Sequence, residues 1–283
     1  MKLLRYGPAG QEKPGLLDVD GNIRDLSGVV DDLDGQALAP SRLAQLAGID
    51  PATLPVVSGP QRIGQPVANI GKFVAIGLNY TDHAKEANMA IPTEPVVFMK
   101  AISCLCGPSD DVIMPRDAIK LDWEVEIGIV IGAKAQYVSV ADALDHVAGY
   151  CVVNDVSERH FQLERGGSWD KGKSFDTFGP VGPWLVTKDE VGDVQDLDIW
   201  LDVNGERMQT GNTRTMIFDC AKIVSYLSEC MTLMPGDLII TGTPPGVGLG
   251  MKPPRFLKVG DVMTLGIDKL GEQRQQVVEF RPS

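Results

Sequence analysis

The chain has 283 residues, of which 38 are Asp or Glu and 26 are Lys or Arg, giving a formal net charge of −12 at pH 7. This acidic balance argues against nucleic acid or an anionic membrane as a partner, because both attract a basic surface. A small anionic substrate remains compatible with it, since one bound cation can invert the potential of a pocket. The sequence has no apolar run of about 18 residues and begins without an apolar signal core, so we expect a soluble, cytoplasmic protein. Its five cysteines lack zinc-type spacing, which favours reduced, mostly buried thiols.

The first 70 residues alternate short apolar pieces with Gly and Pro and carry no catalytic pattern. The Asp20-Gly21-Asn22 sequence predicts the turn of a hairpin, and residues 41–47 predict a short helix. Frequent prolines between residues 51 and 66 make the following segment extended. We therefore predict a small N-terminal domain over residues 1–70 and a larger catalytic domain over residues 71–283.

A strand is predicted over residues 72–78, followed by a short helix over residues 81–88. His83 and Glu86 are three residues apart, so on a helix they share a face, where the carboxylate could orient and polarise the imidazole. Such a pair on an exposed helix usually has no function. By its spacing alone the pair is therefore only a candidate for acid–base chemistry.

Acidic residues open the next buried strand. In a strand, alternate side chains share a face, so Asp122, Glu124 and Glu126 are predicted to point the same way. This pattern alone fits a solvated strand face as well as it fits a metal site. A second apolar run over residues 147–154 delivers Asp155 at its end, which favours a cup of three carboxylates.

Three carboxylates are oxygen ligands suited to Mg²⁺, Mn²⁺ or Ca²⁺ rather than to zinc. Three protein ligands leave coordination positions open for water or substrate oxygens. This arrangement is typical of a catalytic ion rather than of a closed structural site.

A helix is predicted from Ser157, as its N-cap, to Gly166. Arg159 and Gln162 share one face of it and point back towards Asp155, where Arg could bind a substrate carboxylate and Gln a carbonyl. A surface charge is the alternative interpretation of Arg159.

Lys171 and Lys173 lie in a Gly-containing loop bracketed by aromatic residues, and either lysine could stabilise a developing oxyanion or enolate beside a metal. Further along, Asn204-Gly205 predicts a hairpin turn, and residues 219–231 predict an amphipathic helix capped by Asp219. The glycine-rich segment over residues 241–248 could hold an anion through backbone N–H groups. It lacks the Lys-Ser/Thr pair of a nucleotide P-loop and no helix follows it, so we reject nucleotide binding.

Together these motifs resemble the fumarylacetoacetate hydrolase family, from about residue 71 to the C-terminus. The resemblance is carried by Gly77-Leu78-Asn79-Tyr80-Thr81-Asp82-His83, Asp122-Trp123-Glu124-Val125-Glu126, Asn154-Asp155-Val156-Ser157, Gly172-Lys173-Ser174-Phe175-Asp176, Val203-Asn204-Gly205 and Thr241-Gly242-Thr243-Pro244-Pro245-Gly246-Val247-Gly248. It implies a mostly β (α+β) fold, a mixed β-sandwich roll with few short helices preceded by a small N-terminal domain. It also implies a homodimer.

The resemblance assigns roles to individual residues. It implies that Glu124, Glu126 and Asp155 bind a divalent ion, Mg²⁺ by default with Mn²⁺ or Ca²⁺ as alternatives, and that Asp122 is a neighbour rather than a ligand. The family's catalytic positions are matched by His83, Glu86 and Lys173, of which His83 and Glu86 would activate water. The positions around the substrate's oxo acid are matched by Arg159, Gln162 and Thr243.

The expected activity is hydrolysis of a carbon–carbon bond in a 2,4-dioxo acid, an acylpyruvate or a 2,4-diketo-3-deoxy sugar acid, with release of pyruvate. The expected partner is thus a small anionic 2-oxo acid. Family alternatives are oxaloacetate decarboxylation, isomerisation or hydration of a 2-oxo acid from aromatic degradation, and a ureidoglycolate lyase-type activity. Two further classes remain open, namely a non-enzymatic metal-binding protein and an aldolase-type lyase that uses Lys173 as a Schiff base.

Overall fold

Strands dominate the fold in the computed structural model, which describes residues 1–82 and 91–282. The strands are β1 (Lys2–Tyr6), β2 (Lys13–Leu17), β3 (Ile23–Asp25), β4 (Ile63–Gly64), β5 (Phe73–Gly77), β6 (Val96–Met99), β7 (Leu105–Cys106), β8 (Val112–Met114), β9 (Leu121–Asp122), β10 (Val125–Ile131), β11 (Val147–Asn154), β12 (Ser157–Glu158), β13 (Gly179–Thr187), β14 (Asp198–Val203), β15 (Glu206–Asn212), β16 (Leu238–Ile240), β17 (Val262–Ile267) and β18 (Gly271–Glu279). The α-helices are α1 (Pro40–Ala47), α2 (Arg159–Leu163), α3 (Asp170–Lys173), α4 (Lys188–Val191) and α5 (Cys220–Cys230), and single 3-10 turns span Pro51–Thr53, Ile102–Cys104, Ala143–His146, Thr213–Thr215 and Gly248–Gly250. The predicted mostly β fold with few short helices is confirmed.

The larger of two main sheets has the strand order β3-β2-β1-β13-β11-β10-β16-β5-β6. Its central strands β10 and β11 are buried along their whole length, which explains why both read as continuous Val- and Ile-rich runs instead of alternating patterns. The smaller sheet, β15-β14-β17-β18-β8, packs against this centre. The contact includes the buried Gln273 amide of β18, which donates to the carbonyls of Val152 and Gly182 at 2.7 and 3.0 Å.

The N-terminal strands extend the larger sheet. β1 pairs antiparallel with β13, with Leu3 opposite Leu185. The predicted hairpin is confirmed by the antiparallel pairing of β2 with β3, and the predicted helix by α1. The domain boundary near residue 70 stays a prediction.

Two local predictions around the acidic segment were wrong. The first acidic strand is interrupted at residues 123–124, so Asp122 lies on β9 and Glu126 on β10. Ser157 is not a helix cap, because it belongs to β12 and pairs with Asp122. The cap of α2 is Glu158, whose carboxylate accepts the backbone N–H of Phe161 at 2.7 Å.

The C-terminal predictions are confirmed. β14 and β15 form a hairpin whose Asn204 and Gly205 have φ values of 54° and 78°, the left-handed conformation that such a two-residue turn requires. Helix α5 is capped by Asp219, which accepts the backbone N–H of Lys222 at 2.7 Å. No helix in the described residues is long and apolar enough to cross a membrane.

Candidate active site

Three buried carboxylates converge at one end of β10 and β11. One ligand oxygen from each of Glu124, Glu126 and Asp155 lies within 4.8 Å of the others. Strand pairing produces this arrangement: Glu126 lies opposite Val153, and Asp155 follows directly after β11 and donates its backbone N–H to the Glu124 carbonyl at 2.8 Å. An all-oxygen set of this kind suits a hard divalent cation. The triad predicted from the sequence is thus brought together in space.

Two side-chain cations hold Glu124. Lys173 Nζ lies 2.6 Å from Glu124 Oε2 and 2.6 Å from Asp155 Oδ2, so this ammonium bridges two members of the triad. Arg159 Nη2 donates to Glu124 Oε1 at 2.6 Å. Burial raises the pKa of Glu124, but the charges of Arg159 and Lys173 outweigh burial and lower this pKa to about 2. Glu124 is therefore ionised across the physiological range, as a metal ligand must be.

Glu126 lies in a different electrostatic environment. Burial, and then the neighbouring charges of Asp155 and Glu124, raise the pKa of Glu126 well above its ordinary value. Its Oε2 accepts the Gly242 backbone N–H at 2.7 Å, yet no Lys or Arg among the described residues forms an ion pair with it. A divalent cation at the triad would supply the missing positive charge, so the residues present fit such an ion.

Arg159 and Gln162 lie together on α2, as predicted from their spacing. Arg159 Nη1 donates to Gln162 Oε1 at 3.0 Å, and Arg159 Nε donates to Asp122 Oδ2 at 2.8 Å. The guanidinium is buried, so it is not the surface charge considered as an alternative.

Asp122 is a neighbour of the triad rather than a member. Besides Arg159, its carboxylate accepts three backbone N–H groups, from Trp123 at 2.9 Å, Gly248 at 2.7 Å and Leu249 at 3.0 Å. The glycine-rich segment therefore does hold anions through its backbone, but these are the carboxylates of Asp122 and, through Gly242, of Glu126.

Thr243 lies beside the triad with its hydroxyl already engaged. The hydroxyl donates to the Val125 carbonyl at 2.9 Å and accepts from Gln209 Nε2 at 2.8 Å. Its single proton is thus directed at the backbone, and the substrate-binding role implied by the resemblance stays a prediction.

The triad, Arg159, Gln162, Lys173 and Thr243 form the polar floor of a cavity of about 570 Å³, which Asp122 does not line. The described residues of its apolar wall are Ile76, Leu78, Phe98, Leu163, Trp169, Val247, Leu249, Met251 and Pro254. Lys173 is buried at the floor while Lys171 is exposed, which separates the two lysines that the sequence left equivalent. His83 and Glu86 lie outside the described residues, so their catalytic assignment stays a prediction.

Comparison with known proteins identifies the family. The profile of the fumarylacetoacetate (FAA) hydrolase C-terminal domain matches residues 72–278. The chain belongs to the fumarylacetoacetate hydrolase family. A Burkholderia lata relative, provisionally named a hydrolase, is 63% identical over 282 residues, which cover 99% of this chain and 100% of the relative.

Two solved structures extend the comparison. The fumarylacetoacetate hydrolase of the psychrophile Exiguobacterium antarcticum matches with a TM-score of 0.89 and 35% identity, covering 99% of this chain and 100% of the other. Maleylpyruvate hydrolase from Sphingobium sp. SYK-6, solved with manganese(II) and pyruvate, matches with a TM-score of 0.82 and 29% identity. The match covers 99% of this chain and 100% of the other. This fumarylacetoacetate hydrolase family protein therefore shares its whole fold with enzymes.

Sequence reasoning missed two buried residues of this family member's site. Lys100, at the end of β6, donates to Asp155 Oδ1 at 2.6 Å. Gln209 accepts the Val125 backbone N–H at 3.0 Å while donating to Thr243. A lysine that ends the apolar run Pro95-Val96-Val97-Phe98-Met99 was the available signal for Lys100. The sequence around Gln209 offered none.

Proposed function

We propose that this protein is a divalent-metal-dependent hydrolase that cleaves a carbon–carbon bond in a 2,4-dioxo acid, an acylpyruvate or a 2,4-diketo-3-deoxy sugar acid, and releases pyruvate. The observation that carries the proposal is the buried triad of Glu124, Glu126 and Asp155, in which Glu126 forms no ion pair with a Lys or Arg of the described residues. Family membership supports it. The similar maleylpyruvate hydrolase, solved with manganese(II) and pyruvate, supports both the ion and the product.

Charge balance favours an anionic substrate once an ion is bound. Four buried carboxylates (Asp122, Glu124, Glu126 and Asp155) face three buried cations (Lys100, Arg159 and Lys173) among the described residues of the site. With all four carboxylates ionised, one negative charge is uncompensated. A divalent ion held by the triad, Mg²⁺ by default and Mn²⁺ or Ca²⁺ as alternatives, would make the site net positive and supply several kcal/mol of stabilisation to negative charge that develops on the 2-oxo acid.

Two side-chain cations of the site, Arg159 and Lys173, suit a 2-oxo acid substrate. A guanidinium has five N–H groups, and Arg159 uses three of them on Asp122, Glu124 and Gln162. The remaining two form no hydrogen bond with a described residue, and we assign them to a substrate carboxylate. Lys173 is buried at the cavity floor, and we assign to it the stabilisation of the oxyanion that develops as the carbon–carbon bond breaks.

Water delivery is assigned from the sequence to Glu86 as general base, oriented and polarised by His83. The water oxygen bonds to the C4 carbonyl carbon and the C3–C4 bond breaks. The electron pair of that bond stays on C3, which takes up a proton, so the products are a carboxylic acid and pyruvate.

We further propose that the protein acts as a cytoplasmic homodimer on small anionic 2-oxo acids, with neither nucleic acid nor a membrane as a partner. The negative net charge of −12 supports the last part. Light scattering should give twice the 30.5 kDa chain mass, and a mass of 30.5 kDa would refute the dimer.

The test is a product screen with Mg²⁺ over acetylpyruvate, a 2,4-diketo-3-deoxy sugar acid and oxaloacetate. Pyruvate should appear with one equivalent of carboxylic acid from at least one 2,4-dioxo acid. Turnover of oxaloacetate alone would favour the decarboxylase alternative. No turnover of any substrate would favour a non-enzymatic metal-binding protein, and covalent trapping by borohydride would favour a Schiff base at Lys173.

A further inference from the structure

Lys100 follows directly after β6 and brings a positive charge into the interior behind the triad. We propose that Lys100 is a positioning residue for the metal site, which fixes the Asp155 carboxylate and the backbone of Lys173 in the orientation that the ion and the substrate require. The inference rests on the proposed function, since it assigns the triad to a divalent ion.

The ammonium of Lys100 is fully occupied inside the protein. It donates to Asp155 Oδ1 at 2.6 Å, to the Val156 carbonyl at 3.4 Å and to the Lys173 carbonyl. Three acceptors match the three N–H groups of an ammonium. The side chains of Lys100 and Asp155 have no exposed surface. Lys100 thus has no donor left for a substrate and acts through its neighbours.

Lys100 distinguishes the two oxygens of Asp155. Oδ1 is held by Lys100, whereas Oδ2 is held at 2.6 Å by Lys173, which also binds Glu124 at 2.6 Å. Oδ2 is therefore the oxygen turned towards Glu124. Without Lys100 the carboxylate would keep, among the described residues, only the contact of Oδ2 with Lys173, and Oδ1 would lose its side-chain partner. Groups behind metal ligands commonly fix ligand orientation in this way.

Lys100 also anchors α3, the single helical turn that ends at Lys173. Its Lys173 carbonyl is one of the terminal groups that a helix leaves without an internal partner. The contacts on either side of Lys100 join the same two segments: the Met99 N–H donates to Asp170 Oδ1 at 3.1 Å, and the Ala101 N–H donates to Ser174 Oγ at 2.9 Å. Because these flanking bonds remain when Lys100 is replaced, its loss should act on Asp155 and Lys173 more than on the path of the chain.

The test is the Mn²⁺ dissociation constant of chelator-treated protein, measured by titration calorimetry without substrate. Lys100→Met keeps a four-atom apolar stem like that of Lys but lacks the terminal nitrogen, with its charge and donors. We expect about 10- to 100-fold weaker binding, the usual effect of losing a group behind a metal ligand. Lys171→Met is the matched control, because Lys171 is exposed and binds only the carbonyls of Arg165 and Gly166 among the described residues. It should leave the constant unchanged.

A chemical rescue separates positioning from a general effect on folding. Lys100→Ala leaves room for n-propylammonium, which supplies the lost carbons and the ammonium. Mn²⁺ affinity should recover with n-propylammonium and not with tetramethylammonium at equal ionic strength, because the latter has no N–H donor.

The outcomes distinguish this inference from the proposed function. Folded Lys100→Met with wild-type Mn²⁺ affinity, or an equal loss in Lys171→Met, would overturn the inference alone. Failure of both Lys100 variants to fold would overturn it too, by assigning Lys100 to the stability of the fold. A wild-type protein that binds Mn²⁺ yet hydrolyses no 2,4-dioxo acid would overturn the proposed function, while the affinity comparison would still decide the role of Lys100.

Discussion

Replacing Arg159 by Ala should lower the free energy of unfolding and raise KM far more than replacing Arg165 by Ala, although both arginines lie within one short segment. Arg159 is buried and donates to Asp122 at 2.8 Å, to Glu124 at 2.6 Å and to Gln162 at 3.0 Å. Removing one partner of a buried ion pair typically costs about 3–5 kcal/mol, because the remaining charge is left without its counter-charge.

We expect the loss of unfolding free energy in Arg159→Ala to lie near the lower end of that range, because both carboxylates keep other partners. After loss of the guanidinium, Asp122 keeps its three backbone N–H donors, and Glu124 keeps Lys173 at 2.6 Å. We therefore expect Arg159→Ala to lower the free energy of unfolding by about 3 kcal/mol. Arg165 is exposed and lies over the Phe161 ring at 4.3 Å. A cation–π contact at an exposed site contributes about 0.5–1 kcal/mol, so Arg165→Ala should cost no more than that.

The assay is urea unfolding of the metal-free proteins, followed by steady-state kinetics on the substrate found in the product screen. Arg159→Ala should also raise KM for the 2-oxo acid, because two N–H groups offered to its carboxylate are lost, while Arg165→Ala keeps the wild-type KM. Equal unfolding free energies and equal KM values for the two variants would refute the assignment of Arg159 to the buried site.

Three further predictions follow from the site. Chelator-treated protein should lose turnover and recover it with Mg²⁺ or Mn²⁺, and full activity in the stripped protein would contradict a metal-dependent reaction. The rate of hydrolysis should fall about 10²- to 10⁴-fold in Glu86→Gln and in His83→Ala. The rate of any oxaloacetate decarboxylation should fall far less, because only hydrolysis needs an activated water. A near wild-type rate of hydrolysis in Glu86→Gln would rule out Glu86 as the base. With Ellman's reagent one thiol, Cys230, should react in the native protein and five in denaturant, because Cys230 is exposed and the other four are buried. Burial raises the pKa of Cys104 to about 11 and of Cys151 to about 12, and it also raises the pKa values of Cys106 and Cys220. Rapid reaction of a second thiol would show that a buried cysteine opens to solvent.

The triad could be predicted because its members are placed by local rules. The two-residue spacing of Glu124 and Glu126 predicts a shared face, and both carboxylates do reach the triad although Glu124 lies just before β10. Asp155 ends an apolar run that predicts a buried strand. The shared face of Arg159 and Gln162 likewise follows from helical spacing.

The supporting contacts could not be predicted, because they join residues far apart in the chain. Lys100 lies 55 residues before its partner Asp155, and Gln209 lies 84 residues after Val125. Asp122, which directly precedes the break in the first acidic strand, likewise accepts a backbone N–H from Gly248, 126 residues away. No pattern within one segment reports such contacts.

The most direct test of the account is the number of Mn²⁺ ions bound per chain, measured by titration calorimetry on chelator-treated protein. Wild type should bind one ion, as should Glu164→Gln, whose carboxylate is exposed and pairs with Lys120 away from the triad. Glu126→Gln keeps an oxygen for the Gly242 N–H but removes a carboxylate charge that pairs with no Lys or Arg of the described residues, so it should bind none at the same concentrations. No bound ion in wild type, or equal binding by wild type and Glu126→Gln, would contradict the assignment of these three carboxylates to a metal site.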